Sequence, residues 1–277
     1  MSELKITLIQ ADLKWEDKQA NLDMFEEKIL AIKDKTSIVV LPEMFSTGFS
    51  MRPEALAETM DGMAVQWMKK IAAQRKLVVT GSVIIQENDQ YYNRLIWMLP
   101  NGQFGYYDKR HRFAYAGEDQ HYAAGSRRLI ASVNGWKVNL QVCYDLRFPV
   151  WARQSASITP GSDGSPSLEY DLLIYVANWP ERRSNAWKTL LQARAIENQS
   201  YVIGVNRVGN DGNDIYHSGD SMAIDPLGEV LYHKAKEEDI FTVTLPKTKL
   251  EEVRQKFPFW KDADHFKILN PAEEKVQ

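Results

Sequence analysis

Apolar and polar positions change period several times along the chain, and the changes outline its elements. Lys5 to Gln10 reads as a short apolar strand. Asn21 to Lys33 switches to helical spacing, with Leu22, Phe25, Ile29 and Ile32 on one face and Asn21 placed to cap it. Ser37 to Leu41 is a continuous apolar run, the pattern of a strand buried on both faces, and it stops at Pro42-Glu43. Met63 to Lys76 predicts a second helix, with Ala64, Trp67, Met68 and Ile71 inward. Leu77 to Ile85 is a strand, and Arg94 to Leu99 pairs with Gln103 to Tyr107 across Pro100-Asn101-Gly102.

The second half is richer in hairpins. Arg127 to Val133 and Trp136 to Val142 flank Asn134-Gly135, a strong two-residue turn signal. Ser155 to Ser167 is rich in Ser, Gly and Pro and reads as an exposed, mobile loop. Asp171 to Ala177 is a buried strand, and Ser184 to Gln199 a helix with Ser184 as its cap. Strands follow at Tyr201 to Asn206, Ser221 to Ile224, Val230 to Tyr232 and Ile240 to Leu245. A short helix, Leu250 to Lys256, precedes an apolar tail, Phe257 to Trp260. Two sheets packed face to face with helices outside fit this order, and a doubly wound single sheet is the alternative.

Composition narrows the function. The 277 residues carry 34 basic and 37 acidic side chains, so there is no electrostatic footprint for nucleic acid or an anionic membrane. No apolar run reaches the length of a membrane span. The dinucleotide fingerprint and the Walker loop are both absent. The single cysteine excludes an intramolecular disulfide, and no His/Cys cluster has zinc spacing, so no metal is expected. The segment MSELKITLIQ is not a signal peptide, and a cytoplasmic protein is expected.

Cys143 is that single cysteine. It ends the alternating strand Trp136 to Val142, where the pattern changes to Tyr-Asp-Leu-Arg-Phe-Pro. A sharp turn there would lift the sulfur off the sheet, as in a nucleophile elbow. A buried cysteine acting only as a small hydrophobe is the alternative. Glu43 and Lys109 likewise stand just past strand ends, and in α/β sheets such ends converge on the ligand crevice. The trio is chemically coherent. A carboxylate raised by burial can take the thiol proton, and an ammonium can stabilise a developing oxyanion. A cysteine–histidine pair using His111 is the competing arrangement.

Glu43, Lys109 and Cys143, in the contexts LPEMF, YDKRH and VCYDLRFP, resemble the nitrilase superfamily of carbon–nitrogen hydrolases. YVANWPERR, LLQARAIENQSYVIGVNRVG and SGDSMAIDPLGE are similar to its amidase branch, with omega-amidases the nearest group. The resemblance implies one domain over 1–277, a four-layer α-β-β-α sandwich, no cofactor or metal, and a homodimer. It implies release of ammonia from the terminal amide of dicarboxylic 2-oxo acids such as α-ketoglutaramate and α-ketosuccinamate, through a cysteine thioester. Deaminated glutathione amidase, N-carbamoyl hydrolase, nitrilase or a non-catalytic scaffold are the alternatives.

By this resemblance Cys143 is the nucleophile, Glu43 the general base and then acid, and Lys109 the oxyanion stabiliser. Glu118, in YAGEDQHY, corresponds to a second site glutamate that positions substrate or water; an exposed loop acid is its other reading. Tyr144 contributes a backbone N–H to the oxyanion hole. Trp179 lines the pocket or packs as a core aromatic. Arg147 binds the substrate carboxylate or is structural. Arg112 stands where related amidases carry an apolar residue, which bears on the pocket wall.

Overall fold

The computed structural model describes residues 3–158, 166–264 and 266–269. In chain order the first half holds β1 (Glu3–Gln10), α1 (Lys18–Leu30), β2 (Ile38–Val40), α2 (Pro53–Leu56), α3 (Met63–Arg75), β3 (Val78–Glu87), β4 (Gln90–Met98) and β5 (Phe104–Asp108). Next come α4 (Glu118–His121), β6 (Ile130–Val133), β7 (Trp136–Val142), α5 (Pro149–Ala152), β8 (Ala156–Ile158), β9 (Pro166–Leu168) and β10 (Leu172–Ala177). The last stretch holds α6 (Ser184–Asn198), β11 (Tyr201–Asn206), β12 (Val208–Asn210), β13 (Tyr216–Ile224), β14 (Val230–Ala235), β15 (Asp239–Pro246) and α7 (Lys247–Lys256).

Two sheets form the centre. One runs β15-β1-β2-β3-β4-β5, and the other β12-β13-β11-β10-β7-β6 with β14 on β13. Their middles are parallel: β1 with β2 and β2 with β3, then β7 with β10 and β10 with β11. β4 is antiparallel to β3 and β5 to β4. Two reversals restore direction, so β5 ends on the same side of its sheet as β2 and β3.

Side-chain alternation builds the layers. Ile38 and Val40 of β2 join Leu4, Ile6 and Leu8 in a core shared with Val138, Leu140 and Val142 of the other sheet. Val39 and Leu41 point the opposite way, into a second core with Leu22, Phe25 and Ile29 of α1 and Trp67, Met68 and Ile71 of α3. A run apolar at every position therefore reports two buried faces. On the far side, Trp187, Leu191 and Ala195 of α6 close the core against the second sheet. The result is the α-β-β-α sandwich, not the doubly wound alternative.

Several elements depart from the sequence reading. α1 starts at Lys18 under an Asp17 cap, whose Oδ1 accepts from Ala20 N at 3.0 Å. Asn21 is buried inside the helix instead. Its amide donates to the carbonyls of Lys14 and Ser46 at 2.7 and 2.9 Å, tying the helix to the loop after Glu43. Ser184 is the first residue of α6, not its cap, and its hydroxyl donates to Asp220 Oδ2 at 2.6 Å. β3 continues to Glu87 and folds back into β4 through Asn88 and Asp89, both at positive φ. Of the expected 155–167 loop, β8 and β9 pair as a two-stranded ribbon, and residues 159–165 lie outside the described residues. The tail ends in a helical turn, Phe259–Asp262, with the Phe259 ring exposed.

α6 lies very close to β11 at Gly204. A Cβ there would sit 2.5 Å from Leu191 Cδ1 and 2.8 Å from Trp187 Cζ2. Gly204→Ala should lower the unfolding free energy in urea by ~1–3 kcal/mol, the usual cost of overpacking. An unchanged denaturation midpoint would mean that α6 can shift freely on the sheet.

Candidate active site

Four strand ends meet at one side of the sandwich. Leu41-Pro42-Glu43 follows β2. Met44, at φ +44°, turns the chain away, its N–H donating to Ser82 Oγ at 2.8 Å. Lys109 follows β5, and its N–H donates to Asn93 O at 3.0 Å, extending the ladder with β4 by one residue. Cys143 follows β7 at φ +44° and opens the tight helical turn Cys143–Arg147. That conformation is strained for a residue with a side chain, and it lifts the thiol off the sheet. Asn178 follows β10. Glu118 comes from outside the sheets, as the first residue of α4 after the left-handed Gly117.

The structure brings Glu43, Lys109, Cys143 and Glu118 together in a dry cluster. Lys109 Nζ lies 2.9 Å from Glu43 Oε1 and 3.0 and 2.8 Å from the two oxygens of Glu118. All three side chains are essentially inaccessible. Asn93 Nδ2 donates to Glu43 Oε1 at 2.8 Å and reaches Glu118 Oε1 at 3.3 Å. Asn178 N donates to Glu43 Oε2 at 2.8 Å, and Phe113 N to Glu118 Oε2 at 2.5 Å. Both carboxylates are thus fixed by backbone amides as well as by the lysine.

One ammonium faces two carboxylates, and this sets the proton affinities. Burial alone would lower the Lys109 pKa, but the charges of Glu118 and Glu43 outweigh it and raise it. Lys109 therefore stays cationic at every physiological pH. Burial raises Glu118 above the ordinary carboxylate range, with Lys109 opposing and Glu43 adding to the rise. Burial and then the charge of Glu43 push the Cys143 thiol well up, against the pull of Lys109. At rest the sulfur is protonated.

A second network locks the turns that carry Lys109 and Cys143. Asp145 is fully buried two residues beyond Cys143. Its carboxylate accepts from Tyr107 Oη at 2.8 Å, His111 N at 3.0 Å and Val142 N at 3.0 Å. His111 Nδ1 is also 2.8 Å from Asp145 Oδ1, and the ring stacks on Phe148 at 3.8 Å. The histidine is engaged away from the sulfur, so the cysteine–histidine arrangement does not form. Arg112 likewise stays out of the cavity wall. Its guanidinium donates to Tyr122 O at 3.0 Å, bracing the end of the helix that begins with Glu118.

Above the cluster opens a cavity of about 510 Å³. Cys143, Tyr144, Arg147, Asn178 and Trp179 line it, with Phe49 and Phe113. Trp179 is both core and wall in the structure. It is 4% exposed, packs on Trp187 with ring centres 5.5 Å apart, and presents a wall to the cavity. Arg147 is exposed and lies over the Trp179 ring at 5.0 Å. Among the described residues no cluster of three or more His, Cys, Asp or Glu side chains could hold a metal ion, and no helix is long and apolar enough to cross a membrane.

A protonated thiol beside a buried carboxylate and a permanent cation is equipped for acyl transfer. The family model for carbon-nitrogen hydrolases matches residues 5–255. The chain belongs to the carbon–nitrogen hydrolase family. An Omega-amidase YafV of Escherichia coli K12 is 44% identical over 272 residues, spanning 97% of this chain and all of the relative. A 2-oxoglutaramate amidase of Bacillus subtilis is 32% identical, over 93% of this chain and 96% of the relative. The crystal structure of XC1258 from Xanthomonas campestris superposes with a TM-score of 0.91 at 42% identity, covering 97% of this chain and 100% of that one. It is described as a CN-hydrolase superfamily protein with an arsenic adduct in the active site. This chain is accordingly an amidohydrolase of the nitrilase superfamily.

Sequence reasoning passed over Asn93, Asn178 and Asp145. Asn178 follows a buried strand just as Glu43 and Cys143 do, and the same rule would have singled it out. Asn93 carries no such sign, because it lies inside β4, which starts at Gln90 and not at Arg94. In this hydrolase Asp145→Ala strands the donors of Tyr107, Val142 and the partly buried His111, each worth ~1–3 kcal/mol. Its urea stability should fall by more than ~3 kcal/mol, and a loss under ~1 kcal/mol would mean that another acceptor replaces the carboxylate.

Proposed function

We propose that the protein is an omega-amidase that releases ammonia from the terminal amide of dicarboxylic 2-oxo acids, with α-ketoglutaramate and α-ketosuccinamate as the substrate class. The observation that carries the reading is the buried Glu43–Lys109–Glu118 cluster beneath a strained Cys143 at the floor of the cavity. Relatives named omega-amidase and 2-oxoglutaramate amidase, matched along nearly their whole length, support the substrate class.

In the proposed mechanism Glu43 takes the Cys143 proton as the sulfur attacks the amide carbon. The carbonyl pair moves to oxygen. The Lys109 ammonium and the Tyr144 backbone N–H hold that oxyanion, each donor supplying about 3 kcal/mol in comparable sites. The carbon–nitrogen bond then breaks, and Glu43 returns its proton so that ammonia leaves. A water oriented by Glu118 gives its proton to Glu43 and attacks the thioester. The carbon–sulfur bond breaks, the acid leaves and the thiol is restored. Raising the resting thiol pKa by burial suits this order, because the nucleophile forms only as Glu43 accepts the proton. Trp179 forms the wall beside the acyl chain, and Arg147 offers a guanidinium to the substrate carboxylate. The chain is read as a single catalytic domain pairing as a cytoplasmic homodimer, supported by the exposed apolar side chains Val150, Phe259 and Phe266.

Ammonia release from α-ketoglutaramate, measured beside glutamine, an N-carbamoyl amino acid, deaminated glutathione and a simple nitrile, tests the substrate. A strong preference for the keto acid amide is expected, and equal or greater release from one of the others would assign a different amidase. Cys143→Ala should release none while keeping its fold by circular dichroism. Lys109→Ala should lower kcat by ~100-fold or more with a smaller change in KM, and an unchanged kcat would remove its oxyanion role.

A further inference from the structure

Charge around the cavity is uneven: besides the Glu16–Arg52 pair and Asp211 on its lining, the cavity has an acidic floor and a cluster of arginines. Its floor is acidic, with Glu43 and Glu118 behind Cys143. One wall carries Arg147, Arg182 and Arg183, all lining the same space. Among the described residues no carboxylate pairs with any of these three. Arg52, the other arginine on the lining, is instead neutralised by Glu16 at 2.7 Å. Clustering cations without an acid costs free energy through mutual repulsion unless an anion joins them.

Two of these guanidiniums are also held in place. Arg183 lies over the Phe113 ring at 5.0 Å, and Arg147 over Trp179 at 5.0 Å. Phe113 in turn packs edge-on against Tyr144 at 5.0 Å, next to the nucleophile. Trp179 Nε1 donates to Arg183 O at 2.7 Å, fixing the backbone from which that side chain departs. A guanidinium held over a ring face keeps its charge and its N–H donors available for a carboxylate. Arg183 immediately precedes α6, whose first turn has no side-chain cap, so the positive end of the helix dipole adds to the same field. Arg183 is half-buried. Burial and the neighbouring cations Arg182 and Arg147 lower its pKa.

We propose that Arg183, flanked by Arg147 and Arg182, is the specificity-determining anion subsite of the cavity and receives the carboxylate at the substrate's far end. This rests on the omega-amidase reading and extends it from Arg147 to an aromatic-braced cluster. The acidic floor repels a carboxylate and the arginine wall attracts one, so a monoamide of a dicarboxylic acid enters with its neutral amide toward Cys143. The second carboxylate of a diacid product faces Glu43 and Glu118 once formed, and that repulsion favours its release.

The test reads binding rather than turnover. Cys143 is alkylated with iodoacetamide in the presence of increasing 2-oxoglutarate, the diacid product, or of glutaramide, a neutral diamide of the same chain length. Each variant is normalised to its own unprotected rate. In Arg183→Gln the half-protecting concentration of 2-oxoglutarate should rise ~10- to 100-fold, the loss of one charge-assisted bidentate contact, with protection by glutaramide unaffected. Arg183→Lys should fall between. Equal losses for both protectants would reduce Arg183 to a wall residue, and an unchanged half-protecting concentration would overturn the subsite. If wild-type protein does not hydrolyse α-ketoglutaramate yet diacid protection still depends on Arg183, the amidase substrate fails and the subsite stands. If no diacid protects even the wild type, the subsite fails whatever the activity.

Discussion

The Lys109 ammonium, sealed between Glu43 and Glu118, is the contact on which the rest of the site depends. Two carboxylates cannot both stay ionised in a dry core without a cation between them. Here the lysine lies between them, and the two acids keep the lysine charged. Removing any member leaves uncompensated charge in the core. Backbone amides of Asn178 and Phe113 also bind oxygens of the two acids, which makes the cluster rigid.

Rigidity comes from where the members are anchored. Glu43, Lys109, Cys143 and Asn178 leave the ends of strands that point the same way, and hydrogen-bonded ladders hold their relative height. Two strand ends turn through left-handed residues, Met44 and Cys143. The strain at Cys143 is contained by Asp145, which binds Val142 behind it and His111 beside Lys109. One buried carboxylate thereby sets the turn of the thiol against the turn of the ammonium. The hydrophobic layers on either side keep water out and strengthen each of these interactions.

The cavity continues the same electrostatic logic outward. At the floor two acids share one ammonium, and on the arginine wall no carboxylate joins the cations, so the field runs along the axis a substrate would occupy. Chemistry and recognition are separated: the floor moves protons, and the wall sorts ligands by charge. The wall carries aromatic rings as platforms, which hold guanidiniums over their faces without neutralising them.

Much of this was legible in the residue order, because burial and backbone geometry leave local marks. The apolar run Ile38–Leu41 reported a strand buried on two faces, and Asn134-Gly135 reported a hairpin, since both patterns follow from side-chain alternation and permitted φ. Cys143, Glu43 and Lys109 stood out for ending strands. Caps were misread at Asn21 and Ser184, because a polar side chain near a helix start can serve a distant partner as well as a local amide, and Ser46 and Asp220 are such partners. Asn93 and Asp145 were invisible for the same reason, their partners lying tens of residues away. Residue types and strand ends were set by the sequence alone. The pairing of two acids on one lysine, the engagement of His111 with Asp145 and the unpaired arginine wall were decided only by tertiary structure, which alone determines distance and the exclusion of water.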